Sequence, residues 1–423
     1  VAFNSPVWFN VGTVRYPSRI NLEKSDNYHI NEQGMAVKTE IGYSHLYPQT
    51  AACFIQSVED TMESIMQLAV NEAMLFKYGS GTGTDLSPLR SAREELSGGG
   101  KPSGPMHYEK FYDAVAGIIQ SGGKTRRAAK MNSLRDEHPD IKEFIIAKAN
   151  EEKKAKALVK QGYTSREASE TVAYQNANLS VGATDRFMRA VENDEEWQTI
   201  PVHNKELANK MPKYKARDLM RWIAEGAWEC GDPGMQYVTT MNLWHTAKKS
   251  GKINASNPCS EYMFLDDTSC NLASLNLRKF NSEDANFDIE SYEKAIETTS
   301  IAMDLNYEFS GFPTKVIAQN SYDNRTLGLG YANLGALLMA EGLAYDSDKA
   351  RTVAAAITAL TAAKVYEVST VIAEKFGVFK NFEANKEPMM EVMNMHRKAV
   401  DNINTQELPE KFLPVYERAK ELS

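Results

Sequence analysis

The sequence predicts a mixed α/β chain, and three kinds of pattern predict it. Apolar side chains recur at helical spacing in Met62, Ile65, Met66, Ala69 and Ala73, in Tyr108, Phe111, Ala114 and Ile118, and again over 290–308 and 348–376. Short runs such as Cys53-Phe54-Ile55 and Leu179-Ser180-Val181-Gly182-Ala183 read as strands. Glycine-rich and Asp/Ser-rich clusters punctuate them. A length of 423 residues allows two or three average domains or one large barrel. With 42% hydrophobic and 25% charged residues, the chain can bury a sizeable core.

A net charge of −8 argues against a general grip on nucleic acid, which needs a basic face. Four cysteines, Cys53, Cys230, Cys259 and Cys270, are too few to staple a secreted chain of this size, and none forms a C-x-x-C pair. A cytoplasmic protein with functional thiols is the better expectation. No apolar run is expected to cross a bilayer and no basic-then-apolar leader opens the chain. The chain starts at Val1 inside a motif-bearing segment, so it reads as a fragment of a longer protein.

Taken in order, residues 1–12 mix aromatic and β-branched side chains around Pro6, which predicts an extended segment, and 13–48 read as an irregular insertion. Ser57-Val58-Glu59-Asp60 has the Ser-x-x-Asp form of a helix start. Gly79-Ser80-Gly81-Thr82-Gly83 predicts a flexible turn that does not complete a dinucleotide fingerprint. Residues 84–104 should be a mobile loop, and a helix over 106–120 should stop at Gly122-Gly123. Lys124, Arg126 and Arg127 then form a basic turn, which suits either a solvated face or contacts to phosphate and base. Asp136-Glu137-His138-Pro139-Asp140-Ile141 lacks the glycine of a D-x-H-x-x-G cobalt-ligand motif, so His138 is read as structural. A charged helix over 140–162 and a polar connection over 163–176 follow, and Thr184 or Asp185 caps the next helix. Cys230, at a helix end before Gly231, is read as a structural thiol. Arg325–Ala344 reads as a helix with glycine and alanine on one face, suited to close packing.

The stretch with most chemistry is Asn257-Pro258-Cys259-Ser260-Glu261. Proline has no backbone N–H and disfavours helix in the residue before it. In an extended segment Asn257, Cys259 and Glu261 would share one face. Asp266-Asp267-Thr268-Ser269 then forms a turn, and Cys270 opens a second run. The predicted geometry is an out-and-back loop over about 255–277, with one cysteine near the tip and one on the returning limb. A cysteine standing alone is more often a buried small hydrophobe; the amide and carboxylate beside Cys259 favour a reaction centre.

This stretch, with Leu265-Asp266-Asp267-Thr268-Ser269-Cys270-Asn271-Leu272, resembles the finger loop of ribonucleotide reductases, and most closely the adenosylcobalamin-dependent class II enzymes. The resemblance continues through Phe3–Gly12, Ser121–Met131 and Leu327–Ala336. It implies a ten-stranded α/β barrel around a central finger loop over 1–423, incomplete at its C-terminal end. It further implies specificity loops at about 84–104 and 122–131, and a helix after Ser57 at the interface of a homodimer. The implied catalytic residues are Cys259 as the radical thiol, Glu261 as general base, Asn257 as the amide holding ribose hydroxyls, and Cys53 with Cys270 as a redox pair. Ser5, Ala52, Cys53, Gly81, Asn257, Pro258, Cys259, Ser260 and Glu261 would contact substrate. Ser5 reads equally as a turn serine, and Ala52 stands where the family commonly has serine. Asp60, Arg90, Lys124, Arg126 and Arg127 would contact a deoxynucleotide or ATP effector.

The implied reaction turns ribonucleoside diphosphates or triphosphates into deoxyribonucleotides, with adenosylcobalamin as cofactor and a thioredoxin-like or dithiol reductant. The family's phosphate-binding turn and C-terminal cysteine pair lie outside this sequence. Alternatives are a class I large subunit served by a metal-containing partner, an inactive nucleotide-sensing or assembly fragment, and, less expected, a glycyl-radical enzyme.

Overall fold

The strand runs at 53 and 179 belong to one parallel sheet. The computed structural model describes residues 1–11, 27–96, 98–119, 128–281 and 286–423. Two compact units divide them: Val1–Ala52 with His245–Ser250 and Ser269–Ser423, and Cys53–Trp244 with Gly251–Thr268.

In the second unit the strands Cys53–Gln56, Gly81–Asp85, Ala129–Arg135, Ala177–Ala183 and Gly234–Tyr237 lie side by side in that order, all parallel. Helices Met62–Lys77, Pro105–Ile118, Ile141–Lys160, Asp185–Glu192 and Ala216–Cys230 fall between them in the chain, as parallel neighbours require. Side chains alternate between faces. Leu134, Leu179, Val181 and Ala183 pack with Phe144, Ile145, Leu219 and Ile223 in the core. In register on the other face lie Gly81, Gly83, Ala129, Ser133, Ser180, Gly182 and Gly234. Asp85, Met131, Arg135, Asn178 and Gln236 share this second face, and the small residues between them leave room for a loop to lie on it.

Several expectations change here. Gly81 and Gly83 are strand residues rather than a flexible turn. The helix after Ser57 starts at Met62, capped by Thr61, whose Oγ1 accepts from the Ser64 amide at 3.2 Å. Ser57 instead donates its Oγ (2.6 Å) and amide (3.1 Å) to Asp267. That helix buries Ile65, Leu68, Ala69, Leu75 and Phe76, while Met62 and Met66 stay exposed. The next helix buries Glu109, Tyr112, Asp113 and Ala116 and leaves Phe111 and Ile118 exposed, so its inner face is rotated from the apolar stripe. Its polar inner face has partners: Asp113 accepts from the amides of Gln175 (3.2 Å) and Asn176 (2.7 Å). Residues 86–94 are anchored rather than loose, with Leu86 and Leu89 buried and Glu94 accepting from the amides of Ser91, Val202 and His203. The polar connection holds a short helix, Ser165–Thr171, started by a Thr164–Glu167 capping box. His138 is structural as expected, its Nε2 2.9 Å from the Leu89 carbonyl.

In the first unit, strand Thr268–Asn276 pairs antiparallel with Ala2–Phe3 and parallel with Leu327–Ala332. Ser5–Asn10 is a helix rather than extended chain, with Pro6 in its first turn, where its missing N–H costs nothing. Part of the expected irregular insertion is a hairpin, Tyr28–Ile30 with Ala36–Lys38, turned by Gly34 at φ 71°. The expected helix from Arg325 is a strand followed by a short helix, Leu334–Ala340. Arg325 closes the preceding helix in the left-handed region, held by Asp304 and Glu308 at 2.8 Å each. Gly328 and Gly330 serve a two-residue strand period. A Cβ on Gly328 would lie 2.3 Å from Leu272 Cδ2.

Helix Asp348–Phe376 is long and apolar enough to cross a membrane by length and composition alone. Val353, Ala356, Ile357 and Leu360 are fully buried in the core of this unit, with Ile296 and Val415 from helices Ile289–Phe309 and Leu413–Leu422. The end of the helix is open, with Val371 and Phe376 exposed.

Between the second unit's sheet and its helices sits a buried charge group. Lys130 Nζ binds both oxygens of Glu72 at 2.6 and 2.8 Å and lies 4.4 Å from the Tyr112 ring centre. Neither oxygen of Glu109 has a hydrogen-bond partner among the described residues. Burial pushes the Glu109 carboxyl up to about 8; Lys130 and Lys148 oppose the shift, and Asp113 and Glu72 add to it. The folded chain therefore keeps a proton that the unfolded chain releases above its ordinary value of 4.5, and stability falls as pH rises from there towards 8. Glu109→Gln should stabilise the chain, by on the order of 3 kcal/mol more at pH 8 than at pH 5. Urea midpoints at the two pH values check this; equal gains at both would contradict it.

Candidate active site

The hairpin Ala255–Ser256 with Met263–Phe264 carries the five-residue stretch at its tip. The stretch is a closed turn, not the extended segment expected. The Ser260 amide donates to the Asn257 carbonyl at 3.1 Å, and Ser260 takes a left-handed φ of 63°. Asn and Pro suit the first two positions of such a turn, and Cys259 occupies the outermost corner. The three side chains therefore do not share a face by strand alternation. Asn257 is fully buried, whereas Cys259 and Glu261 are exposed.

The turn nevertheless brings functional groups together. Asn257 Oδ1 accepts from the Tyr262 amide at 2.9 Å, and Asn257 Nδ2 donates to Cys53 Sγ at 3.0 Å. Cys53 Sγ donates to Glu261 Oε1 at 3.3 Å. An amide, a thiol and a carboxylate thus form one chain of hydrogen bonds beside the exposed Cys259. Tyr262 Oη donates to Thr268 Oγ1 at 2.8 Å and steadies the returning limb.

The sheet holds the tip closely. The Ser256 carbonyl lies over Gly83, where a Cβ would come within 1.6 Å of it. A Cβ on Gly81 would meet Pro258 Cγ at 2.8 Å. Asn178 Nδ2 donates to the Pro258 carbonyl at 3.0 Å, and Gln236 Nε2 donates to the hydroxyls of Ser256 (2.7 Å) and Ser260 (3.2 Å). Asn178, Gln236 and Ser256 were not legible as site residues, because only strand register places them beside the tip. At the hairpin's base, Arg135 Nη2 donates to Asn254 Oδ1 (3.1 Å) and Asn254 Nδ2 to Asp266 Oδ2 (2.8 Å). Burial pushes the Asp266 carboxyl up to about 7, with the Asn254 bond opposing it.

In the first unit, Cys270 is buried and the Ala52 amide donates to its carbonyl at 3.3 Å. Ser269 is fixed by Ser321 (2.9 Å) and by Tyr307, whose Oη reaches the Ser269 carbonyl at 2.9 Å. Ser5 opens a helix that Asn4 and Asn10 tie to the carbonyls of Thr50 (2.8 Å) and Gln49 (2.7 Å). In the second unit Asp60 and Arg90 pair with each other, and His203 Nε2 lies 2.7 Å from the same Asp60 oxygen. Lys124, Arg126 and Arg127, with Gly12 and most of the expected loop 122–131, lie outside the described residues.

Residues 51–413 match the family described as the ribonucleotide reductase barrel domain, and the chain belongs to that family. It is 52% identical over 408 residues to a vitamin B12-dependent ribonucleotide reductase of Rhodopirellula baltica, covering 95% of this chain and 39% of that protein. It is 44% identical over 417 residues to the protein of the same name from Streptomyces avermitilis, covering 96% of this chain and 40% of the relative. Among solved structures it resembles the class Id ribonucleotide reductase alpha subunit of Actinobacillus ureae, with TM-score 0.61 at 19% identity, over 90% of this chain and 59% of the other. The chain thus spans about 40% of the length of those curated relatives.

Gly83→Ala should unseat the hairpin, since its neighbour is a backbone carbonyl that cannot turn aside; a loss of roughly 3 kcal/mol or more is expected. Gly98→Ala, in open space, should change stability by less than about 0.5 kcal/mol. Urea unfolding of both variants checks the contrast, and equal effects would contradict it.

Proposed function

We propose that this chain is the catalytic barrel of an adenosylcobalamin-dependent ribonucleotide reductase that makes deoxyribonucleotides for DNA synthesis by thiyl-radical chemistry. The observation that carries the reading is the Asn257–Cys53–Glu261 chain beside an exposed Cys259. The two curated relatives cited above bear B12-dependent names.

Cobalamin fits one feature of the site. Cys259 is exposed while Cys53 and Cys270 are buried, so the initiating radical can reach the first sulfur and be kept from the others. When bound, adenosylcobalamin would supply a carbon-centred radical, and Cys259 is the side chain that would meet it. The Cys259 sulfur radical then takes the hydrogen atom from ribose C3′: an S–H bond forms, a C–H bond breaks, and the radical passes to the sugar. Glu261 accepts the 3′-hydroxyl proton, and the Asn257 amide orients the neighbouring hydroxyl. The C2′–O bond breaks and the oxygen leaves as water. Cys53 and Cys270 together supply two electrons and two protons and end as a disulfide. Glu261 returns the proton to the 3′-oxygen, and Cys259 returns its hydrogen atom to C3′ and is a radical again. The Cys53 hydrogen bond to Glu261 supports a shared proton path.

Ser5, Ala52, Gly81, Pro258 and Ser260 complete the proposed substrate contacts. Asp60 and Arg90, with Lys124, Arg126 and Arg127, are proposed to read a deoxynucleotide or ATP effector. Exposed Met62, Met66 and Val70, spaced one turn apart on a single helix, support a homodimer. A thioredoxin-like protein or a dithiol would reduce the disulfide, the remainder of a longer polypeptide would complete the enzyme, and the cytoplasm is its expected place.

In the longer enzyme with adenosylcobalamin, dithiol and ribonucleotide, Cys259→Ala should abolish deoxynucleotide formation. Glu261→Gln should lower kcat by about 10²-fold or more. Product formation by Cys259→Ala would overturn the radical assignment. Dependence on a metal-containing partner would instead support the class I reading, and effector binding without reduction the sensing reading.

A further inference from the structure

We propose that Gln236 is a positioning residue for Cys259, setting the turn on which the thiol stands; the catalytic consequence rests on the thiyl role proposed above. Gln236 sits on strand Gly234–Tyr237, in register with Gly182, and is 3% exposed. Its side-chain amide donates to two hydroxyls that bracket the cysteine, Ser256 at 2.7 Å before it and Ser260 at 3.2 Å after it. The Ser256 hydroxyl in turn donates to the Asn257 carbonyl at 2.9 Å, the same oxygen that accepts the turn-closing Ser260 amide at 3.1 Å.

The direction of these bonds matters. By accepting from Gln236, the Ser256 oxygen leaves its own hydrogen for the tip, with the Asn257 carbonyl at 2.9 Å the nearer acceptor and the Ser260 hydroxyl at 3.3 Å the second. Ser260 needs such support because a left-handed φ of 63° is disfavoured for a residue with a Cβ. Without an amide donor at position 236, neither hydroxyl is fixed from the sheet side, and the corner at Cys259 can rotate relative to Asn257, Cys53 and Glu261. A displacement of about 1 Å at a reacting atom is enough to cost a large factor in rate. Gln236 touches none of the atoms assigned to the reaction and acts only through the two serines.

Gln236→Met keeps the side-chain length and removes the donor. Iodoacetamide labelling, followed by peptide mass spectrometry, reads the geometry of the tip directly. Cys259 should be alkylated at a rate shifted by about threefold or more, while Cys230, a half-buried thiol bound to the Gly226 and Asp232 carbonyls rather than to the Gln236 network, keeps its rate. In the longer enzyme kcat should fall by about tenfold or more with KM within about twofold, the pattern of a lost reacting geometry. Adding Ser260→Ala to Gln236→Met should shift Cys259 labelling little further than Gln236→Met alone, because the two act on the tip in one network. Unchanged alkylation together with unchanged kcat, or fully additive labelling shifts, would overturn the proposal. Should Gln236→Met fail to fold, Ser260→Ala alone must shift Cys259 labelling in the same direction, and no shift would overturn it. A labelling shift in Gln236→Met, alongside an enzyme that stays active as Cys259→Ala, would uphold the positioning role while removing the radical one.

Discussion

The contact on which the site depends is the close approach of a hairpin to a parallel sheet, where the Ser256 carbonyl sits over Gly83. Only glycine permits it, since any Cβ would fall within the carbonyl's contact radius. Once the hairpin is seated there, the rest of the tip has little freedom. Pro258 rests against Gly81, Asn178 and Gln236 donate to the tip from neighbouring strands, and the Asn257 amide meets the Cys53 sulfur. The small residues of that face are what a sheet needs if it is to hold a loop rather than pack against a helix.

The seating also explains how three functional groups with different requirements share one place. Asn257 is buried and spends its carbonyl on the turn and its amide on a thiol, so its orientation is fixed on both sides. Glu261 stays exposed and accepts from Cys53, as its proposed role as a base requires. Cys259 projects from the corner, the one thiol of the proposed catalytic set that is exposed. Burial and exposure thus divide the labour among residues that lie within five positions of one another.

Much of this was legible in the sequence, and the failures have physical reasons. Helices with a clear apolar face, such as 140–162 and 348–376, were found close to their observed limits. The strand at Leu327 was read as a helix because glycines and alanines spaced four apart suit a helix face, while Gly328 and Gly330 equally suit a strand pressed against Leu272. The helix at 105 was rotated because its inner face carries Glu109 and Asp113, which local hydrophobicity assigns to solvent. At the tip two local preferences compete: the residue before proline favours extended backbone, while Asn-Pro suits the first half of a turn, and the turn wins. Residues such as Gln236 and Asn178 gave no local signal, since their relevance comes from register across strands far apart in the chain.

Every proposed role at this tip requires a ribose docked against it. A crystal structure of the longer enzyme with a bound ribonucleotide tests that most directly. The expected result is a ribose whose C3′ lies about 3.5 Å from Cys259 Sγ, with its 3′-hydroxyl in hydrogen-bond reach of Glu261. A nucleotide bound with its sugar away from both side chains, while the Asn257–Cys53–Glu261 hydrogen bonds stay intact, would contradict it.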